Sequence, residues 1–342
     1  MQFKEFDDKL TAYIEENNTF GVLQIMKGDK VIYKKHFGYE NYEEGKKIDD
    51  DTTYRYYSMT KPFTATCIML LYEEGKISLE DRVCDILPSA KELCPDITVK
   101  NLLQHTSGLP EMESFGSPLL DDGRVSFEKE VEWLVRQPLD FPVGTQSYYR
   151  NTNYSLLSLI VEHLWDMPFE QCLKKRVFEP LGMDTMACEY NEKKVSSRAY
   201  GYELKDGEIC RAPYGNMNIM YGGGFTVGKL ADMTKFYRAI REKKLLKPET
   251  WDLVFTRADV GVFGLGCYVI KDVGLTCYQH TGGSAGFRNM HRYYPDLDLD
   301  FIFLSNSGFG DAREHIAKMV SEYFLSDRHG ETEKHEMDKG FV

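Results

Sequence analysis

Hydrophobic and polar positions along the chain change period four times. At the N-terminus Phe3, Phe6, Leu10, Tyr13 and Ile14 recur at helical spacing, which predicts an amphipathic helix over residues 4 to 16. "FGVLQIMKGDKVIYKKHFGYE" then gives two apolar runs around Lys27-Gly28-Asp29-Lys30, the pattern of a β-hairpin with a glycine-containing turn. From Ser58 to Glu74 the period is helical again, through Phe63, Cys67, Leu70 and Leu71, with Gly75 as the stop. "SYYRNTNYSLLSLIVEHLW" reads as a loop entering an apolar helix, "FEQCLKKRVFEPLG" as a helix closed by Pro180 and Gly182, and "GKLADMTKFYRAIREKKLL" as another.

Beyond these helices the pattern turns extended. "FGLGCYVIK", "LTCYQHTGG", "FRNMHRYYP" and "DFIFLSNS" are divided by turn signals and predict an antiparallel meander, after which "DAREHIAKMVSEYFL" returns to helix. Strands at both ends and helices between them predict an α+β fold. Its antiparallel β-sheet is built from both termini and flanked by helices, with a mainly helical subdomain inserted. One catalytic domain is expected over 1–325, its α/β part from 1–60 and about 235–325 and its helical part from about 61–234. A charged C-terminal tail follows over 326–342.

Composition narrows the class of function. The 342 residues are 42% hydrophobic and 13% aromatic, enough apolar material for one large core or two packed subdomains. The net charge of -12, with no dense run of Lys and Arg, argues against nucleic acid as a partner. The eight cysteines are scattered singly, with no Cys-x-x-Cys pair and no histidine at ligand spacing, so neither a metal nor another cofactor is expected. "MQFKEFDDKLTAYIEENNTF" lacks the apolar segment of a signal peptide, and no stretch approaches the roughly 18 apolar residues of a spanning helix. The expectation is a cytoplasmic protein with no membrane partner; a chain trimmed of its leader would read the same way.

Three short patterns could carry chemistry. In "YYSMTKPFTA", Ser58 and Lys61 are three apart at a helix start, so their side chains share a face and the amine can reach the hydroxyl. A lysine amine can activate a serine if its site is partly dry, and Tyr54, Tyr56, Tyr57 and Phe63 could dry it. Read alone, a serine at a helix start is more often a cap. In "SYYRNTNY", Tyr149 and Asn151 offer a phenol for proton transfer and a carboxamide for hydrogen bonding, or simply a turn with a half-buried ring. In "QHTGGSAGF", His280 and Thr281 end a strand while Gly282 and Gly283 permit close approach of a ligand; the bland alternative is a glycine-rich hairpin.

Taken together and in this order, the three resemble the motifs of the serine β-lactamase and penicillin-binding-protein superfamily: Ser-x-x-Lys, Tyr-x-Asn, and a variant of Lys-Thr-Gly. The Tyr-x-Asn form is similar to the class C β-lactamase-like branch, with its esterases, D-aminopeptidases and DD-peptidases. "LLQHTSGLP" at 102–110, "FEPLGM" at 178–183 and "GGGFTVGKLADMTKF" at 222–236 are similar to segments of the same branch, so the resemblance runs from about residue 20 to about 325.

The resemblance implies a β-lactamase/transpeptidase-like fold and a serine hydrolase that forms an acyl-enzyme at Ser58. Lys61 and Tyr149 would share general-base and general-acid duty, and Asn151 would orient Lys61 and the substrate amide. His280, Thr281, Gly282 and Gly283 would form the strand edge along which substrate lies, with the backbone N–H groups of Ser58 and Gly283 as oxyanion hole. One residue departs from the pattern: His280 stands where β-lactamases usually have lysine, which weakens the case for a carboxylate-bearing substrate. Arg288 could restore a cation nearby, or be a solvated strand residue.

The leading expectation is therefore a hydrolase of a small ester, amide or (D-)peptide. The alternatives are a β-lactamase or penicillin-binding DD-peptidase, and a non-catalytic ligand-binding or sensing module on the same fold. Specificity would come from the loop 111–127 and the aromatic stretch from Tyr214 to Tyr221.

Overall fold

A computed structural model describes residues 3–112, 126–189, 198–213 and 217–325. Most of the loop 111–127, the start of the 214–221 stretch and the C-terminal tail thus lie outside the described residues. The chain divides into two compact units. The first takes the described residues within Met1–Tyr54, Ser197–Pro213 and Val269–Val342, and the second those within Arg55–Ser196 and Tyr214–Tyr268.

The first unit is built on a six-stranded sheet in the order Tyr268–Asp272, Leu275–Ser284, Phe287–Tyr294, Leu299–Ser305, Gly21–Lys27 and Lys30–Phe37. Residues from the two ends of the chain pair directly and antiparallel, from Gly21 opposite Ser305 to Lys27 opposite Leu299. The fold is thus the expected α+β arrangement, with a sheet made from both termini. Gly28, at φ 55°, makes the tight turn that sets Lys27 against Lys30. Phe6 and Leu10 of the Lys4–Glu16 helix and Ile316 and Val320 of the Ala312–Phe324 helix share one apolar core with Leu23, Ile25, Phe301 and Phe303 of the sheet. Burial of such side chains contributes roughly 1.5–3 kcal/mol each relative to exposure, which is what fixes both helices to the sheet.

A two-stranded hairpin, Tyr202–Lys205 with Glu208–Arg211, also belongs to the first unit. It falls where the periodicity predicts helices and loops. Asp206 and Gly207, both at positive φ, make its turn, and this Asp-Gly pair is the signal that marks it.

The second unit centres on the Lys61–Glu73 helix, whose residues from Lys61 through Met69 are all buried. A helix covered on nearly every side presents no polar face, so its sequence shows only a weak amphipathic stripe. It packs on the Asn151–Trp165 helix and the Met217–Gly223 turn, and Phe63 meets Phe178 and Phe236 edge-on. Gly266 approaches the helix so closely that a Cβ there would lie 2.3 Å from that of Ala65. The segment "FEQCLKKRVFEPLG" is not one helix. It runs as an α-turn over Phe169–Leu173, a π-turn over Lys174–Phe178 and a 3-10 turn over Glu179–Leu181, because Pro180 cannot donate to a continuing α-ladder. No helix among the described residues is long and apolar enough to cross a membrane.

Just ahead of the Ser58 turn, Arg55 makes a two-pronged ion pair with Glu189, Nε to Oε2 at 2.7 Å and Nη2 to Oε1 at 3.0 Å, both side chains buried. Arg55→Ala would take the guanidinium away from a buried carboxylate, and unfolding in denaturant should report a loss of about 3–5 kcal/mol. Arg55→Met combined with Glu189→Leu should recover most of that loss. A single variant as stable as wild type would show that the pair is not part of what holds this turn.

Candidate active site

Ser58 lies in a 3-10 turn, Tyr57–Thr60, that runs directly into the Lys61–Glu73 helix. The turn is pinned on both sides by the Thr226–Lys229 strand. Tyr56 donates its N–H to Thr226 O at 2.9 Å, its hydroxyl binds Lys229 O at 2.6 Å, and the hydroxyls of Thr60 and Thr226 meet at 2.6 Å. Tyr57, immediately before Ser58, has φ 51°, a left-handed conformation that is uncommon for a bulky residue. Such strain persists only where surrounding contacts over-determine it, and these contacts do.

Ser58 is not a cap. The helix N-cap is Thr60, which makes no side-chain cap bond, and Pro62 occupies the first turn, where a missing N–H costs little. The Ser58 hydroxyl is instead addressed by two other side chains: Tyr149 donates its O–H to Oγ at 2.6 Å, and Lys61 Nζ stands 3.1 Å from Oγ.

Lys61 is fully buried, with Nζ 2.7 Å from Asn151 Oδ1 and 2.8 Å from the carbonyl oxygen of Gly223. Asn151 Oδ1, Gly223 O and Ser58 Oγ all lie within hydrogen-bond reach of Nζ, which places Lys61 where a proton can pass between it and Ser58. Tyr149 retains some exposed surface. Burial of its phenol nonetheless pushes its pKa well above the usual range, with the nearby Tyr268 adding to the effect and the bond to Ser58 partly opposing it. The phenol therefore stays protonated through neutral pH and can donate.

Asn151 is the first residue of the Asn151–Trp165 helix and not part of the preceding loop. The helix start is held by Glu111, whose carboxylate accepts the N–H of Asn151 at 2.8 Å and of Thr152 at 3.0 Å. A carboxylate over the first turn suits the helix dipole and satisfies two orphan donors. Spacing in the sequence gives no hint of Glu111, which comes from forty residues upstream. Gly223 is different, because the run Gly222-Gly223-Gly224 signals close approach of main chain. A Cβ on Gly222 would lie 2.6 Å from that of Ser158, and one on Gly223 would lie 3.2 Å from Asn151 Oδ1. Thr64 secures the same turn by donating to Gly222 O at 2.6 Å.

Ser58, Lys61, Tyr149 and Asn151 thus come together within the second unit. His280, Thr281 and Gly283 lie in the first, at the end of the Leu275–Ser284 strand. His280 is buried, with Nδ1 2.7 Å from the carbonyl of Thr281; a carbonyl can only accept, so Nδ1 carries the proton. Arg288 stands opposite Gly283 in the neighbouring strand and donates to Phe287 O at 2.8 Å, partly buried and not a freely solvated side chain.

A buried lysine and a protonated phenol converging on one serine hydroxyl at the start of a helix define the class of the serine β-lactamases and their relatives. The Beta-lactamase family model matches residues 6–322, and the chain belongs to that family. It is 26% identical over 335 residues to penicillin-binding protein 4* of Bacillus subtilis (strain 168), spanning 91% of this chain and 73% of that one. Among solved structures, the octameric penicillin-binding protein homologue from Pyrococcus abyssi is 25% identical with a TM-score of 0.79, over 95% of this chain and 77% of that one. The D-amino acid amidase from Ochrobactrum anthropi SV3, 20% identical, shares the fold with a TM-score of 0.81 over 95% of this chain and all of its own.

Proposed function

We propose that the protein is a serine hydrolase that forms an acyl-enzyme at Ser58 and acts on a small ester, amide or D-peptide. The observation that carries this reading is the convergence of Tyr149 Oη and Lys61 Nζ on the Ser58 hydroxyl, at 2.6 and 3.1 Å. As Ser58 Oγ attacks the acyl carbon, its proton passes to the Lys61 amine, and the ammonium that forms is held by Asn151 Oδ1 and Gly223 O. Tyr149 gives its proton to the leaving group. Water then cleaves the ester, losing a proton to the Tyr149 phenolate, while Lys61 returns its proton to the departing Ser58 oxygen. The roles proposed for Gly283 N–H as second oxyanion donor, beside that of Ser58, and for His280 and Thr281 as substrate-orienting residues rest on the motif order. A screen of p-nitrophenyl esters, D- and L-aminoacyl amides and nitrocefin tests the substrate class. Turnover of at least one ester or amide is expected, and a panel with no substrate turned over would favour a binding module.

A second reading, a penicillin-binding enzyme, draws on Arg288, which sets a guanidinium beside the Gly282-Gly283 stretch of the first unit. It predicts a penicillin adduct in the intact mass. The hydrolase proposed above predicts none, because a histidine at 280 replaces the permanent cation of the usual motif.

A further inference from the structure

Tyr149 reaches Ser58 from a loop, and a loop holds a phenol in place only if its neighbours are fixed. His105 fixes them on both sides. It is buried just past the Val99–Leu103 helix and has φ 56°, a left-handed conformation that turns its carbonyl and its imidazole toward one short stretch of chain. Its carbonyl accepts the N–H of Tyr148 at 2.9 Å, and its Nδ1 accepts the N–H of Arg150 at 3.2 Å. Both residues flanking Tyr149 are therefore tied to the same side chain and its backbone. The imidazole also lies against the Tyr149 ring, centroids 4.7 Å apart.

The chemistry of Nδ1 is constrained by these partners. A backbone N–H can only donate, so Nδ1 must offer its lone pair. Asn153 Nδ2 stands 3.0 Å from the same atom, while its Oδ1 takes the Ser107 hydroxyl at 2.6 Å, so the donor end of the amide also faces the ring nitrogen. Neutral imidazole with its proton on Nε2 fits, and imidazolium would set a third N–H against two others.

Other rings pack against the imidazole. The Tyr154 ring has its centroid at 5.1 Å and the Phe263 ring at 4.6 Å, and Tyr268 lies beyond the Tyr149 ring at 6.5 Å. Lys61 Nζ stands over the Tyr149 and Tyr154 rings at 4.6 and 5.5 Å. The Arg150 guanidinium is held by Asp140 at 2.9 Å, and Glu111 takes the Asn151 and Thr152 N–H groups.

We propose that His105 is a positioning residue for Tyr149 that works only as the neutral imidazole, so that acylation of Ser58 is lost as pH falls through the titration of His105. This rests on the reading of Ser58 as nucleophile and Tyr149 as its proton donor. The test uses the full chain and the rate at which a fluorophosphonate labels Ser58 between about pH 5 and about pH 9, the range in which histidine titrates. His105→Phe keeps a ring without an acceptor and should slow labelling at neutral pH by roughly 100-fold, the scale of a 1 Å misplacement. His105→Asn supplies a carboxamide oxygen in place of Nδ1 and tolerates the left-handed backbone. It should recover most of the lost rate and remove the part of the acid limb that His105 sets, leaving the part that belongs to the general base.

A long-range 1H–15N correlation spectrum of the wild type should show Nδ1 unprotonated at neutral pH, and it decides the matter even if His105→Phe fails to fold. A proton on Nδ1, an acid limb unchanged in His105→Asn, or His105→Asn as slow as His105→Phe would overturn the proposal. Wild-type protein that does not label at all would instead overturn the hydrolase reading, with the tautomer still read by the spectrum.

Discussion

Ser58→Ala is expected to abolish turnover of every substrate that the wild type hydrolyses, a loss of about 10³-fold or more, the scale at which a covalent nucleophile is removed. The reason is that Tyr149 and Lys61 both address Oγ. The fold should survive, because Ser58 neither caps the helix nor fills the core, and deletion of a partly exposed hydroxyl costs within about 1 kcal/mol. Steady-state kinetics and thermal unfolding on the same preparation check both halves. Retained turnover in a folded Ser58→Ala protein would contradict the assignment of Ser58.

Lys61→Ala should also eliminate acylation, but with a different signature. Loss of a general base removes about 10²–10⁴ of rate. It also leaves the carboxamide oxygen of Asn151 and the carbonyl of Gly223 without the donor that now lies 2.7 and 2.8 Å away in a buried site. Each buried acceptor left unmet costs about 1–3 kcal/mol, so this variant should unfold at lower denaturant, as Ser58→Ala does not. Lys61→Arg should not rescue, since a guanidinium stays protonated and cannot take the Ser58 proton. Fluorophosphonate labelling rates and urea midpoints separate the outcomes. A Lys61→Ala protein that labels at the wild-type rate would show that another group is the base.

These two variants probe residues that the sequence places side by side, and that is why Ser58 and Lys61 were legible. Three residues apart at a helix start, they are local, and only their surroundings were open. Tyr149 and Asn151 are each ambiguous alone and acquire meaning from the order of the motifs, although Asn151 begins its helix where a loop residue was expected.

What supports the site is not local and so left little trace. Glu111 reaches the Asn151 helix across forty residues, His105 reaches Arg150 across forty-five, and Gly223 presents its carbonyl to Lys61 across 162. No periodicity encodes such pairs. Only the glycine run at 222–224 and the left-handed backbone of His105 distinguish two of them, and the second is invisible without coordinates. In the fold, the sheet strands were readable because Gly21–Lys27 and Leu299–Ser305 are nearly continuous buried runs. The Tyr202–Arg211 hairpin, with mixed exposure and little alternation, was not.

The central claim is that Ser58 is a nucleophile poised by Lys61 and Tyr149. The most direct measurement is the intact mass of the wild-type protein after exposure to a fluorophosphonate, followed by peptide mapping. A single adduct on the peptide that carries Ser58, absent from Ser58→Ala, is the predicted result. No adduct, while a known serine hydrolase reacts alongside, or an adduct on any other residue, would contradict it.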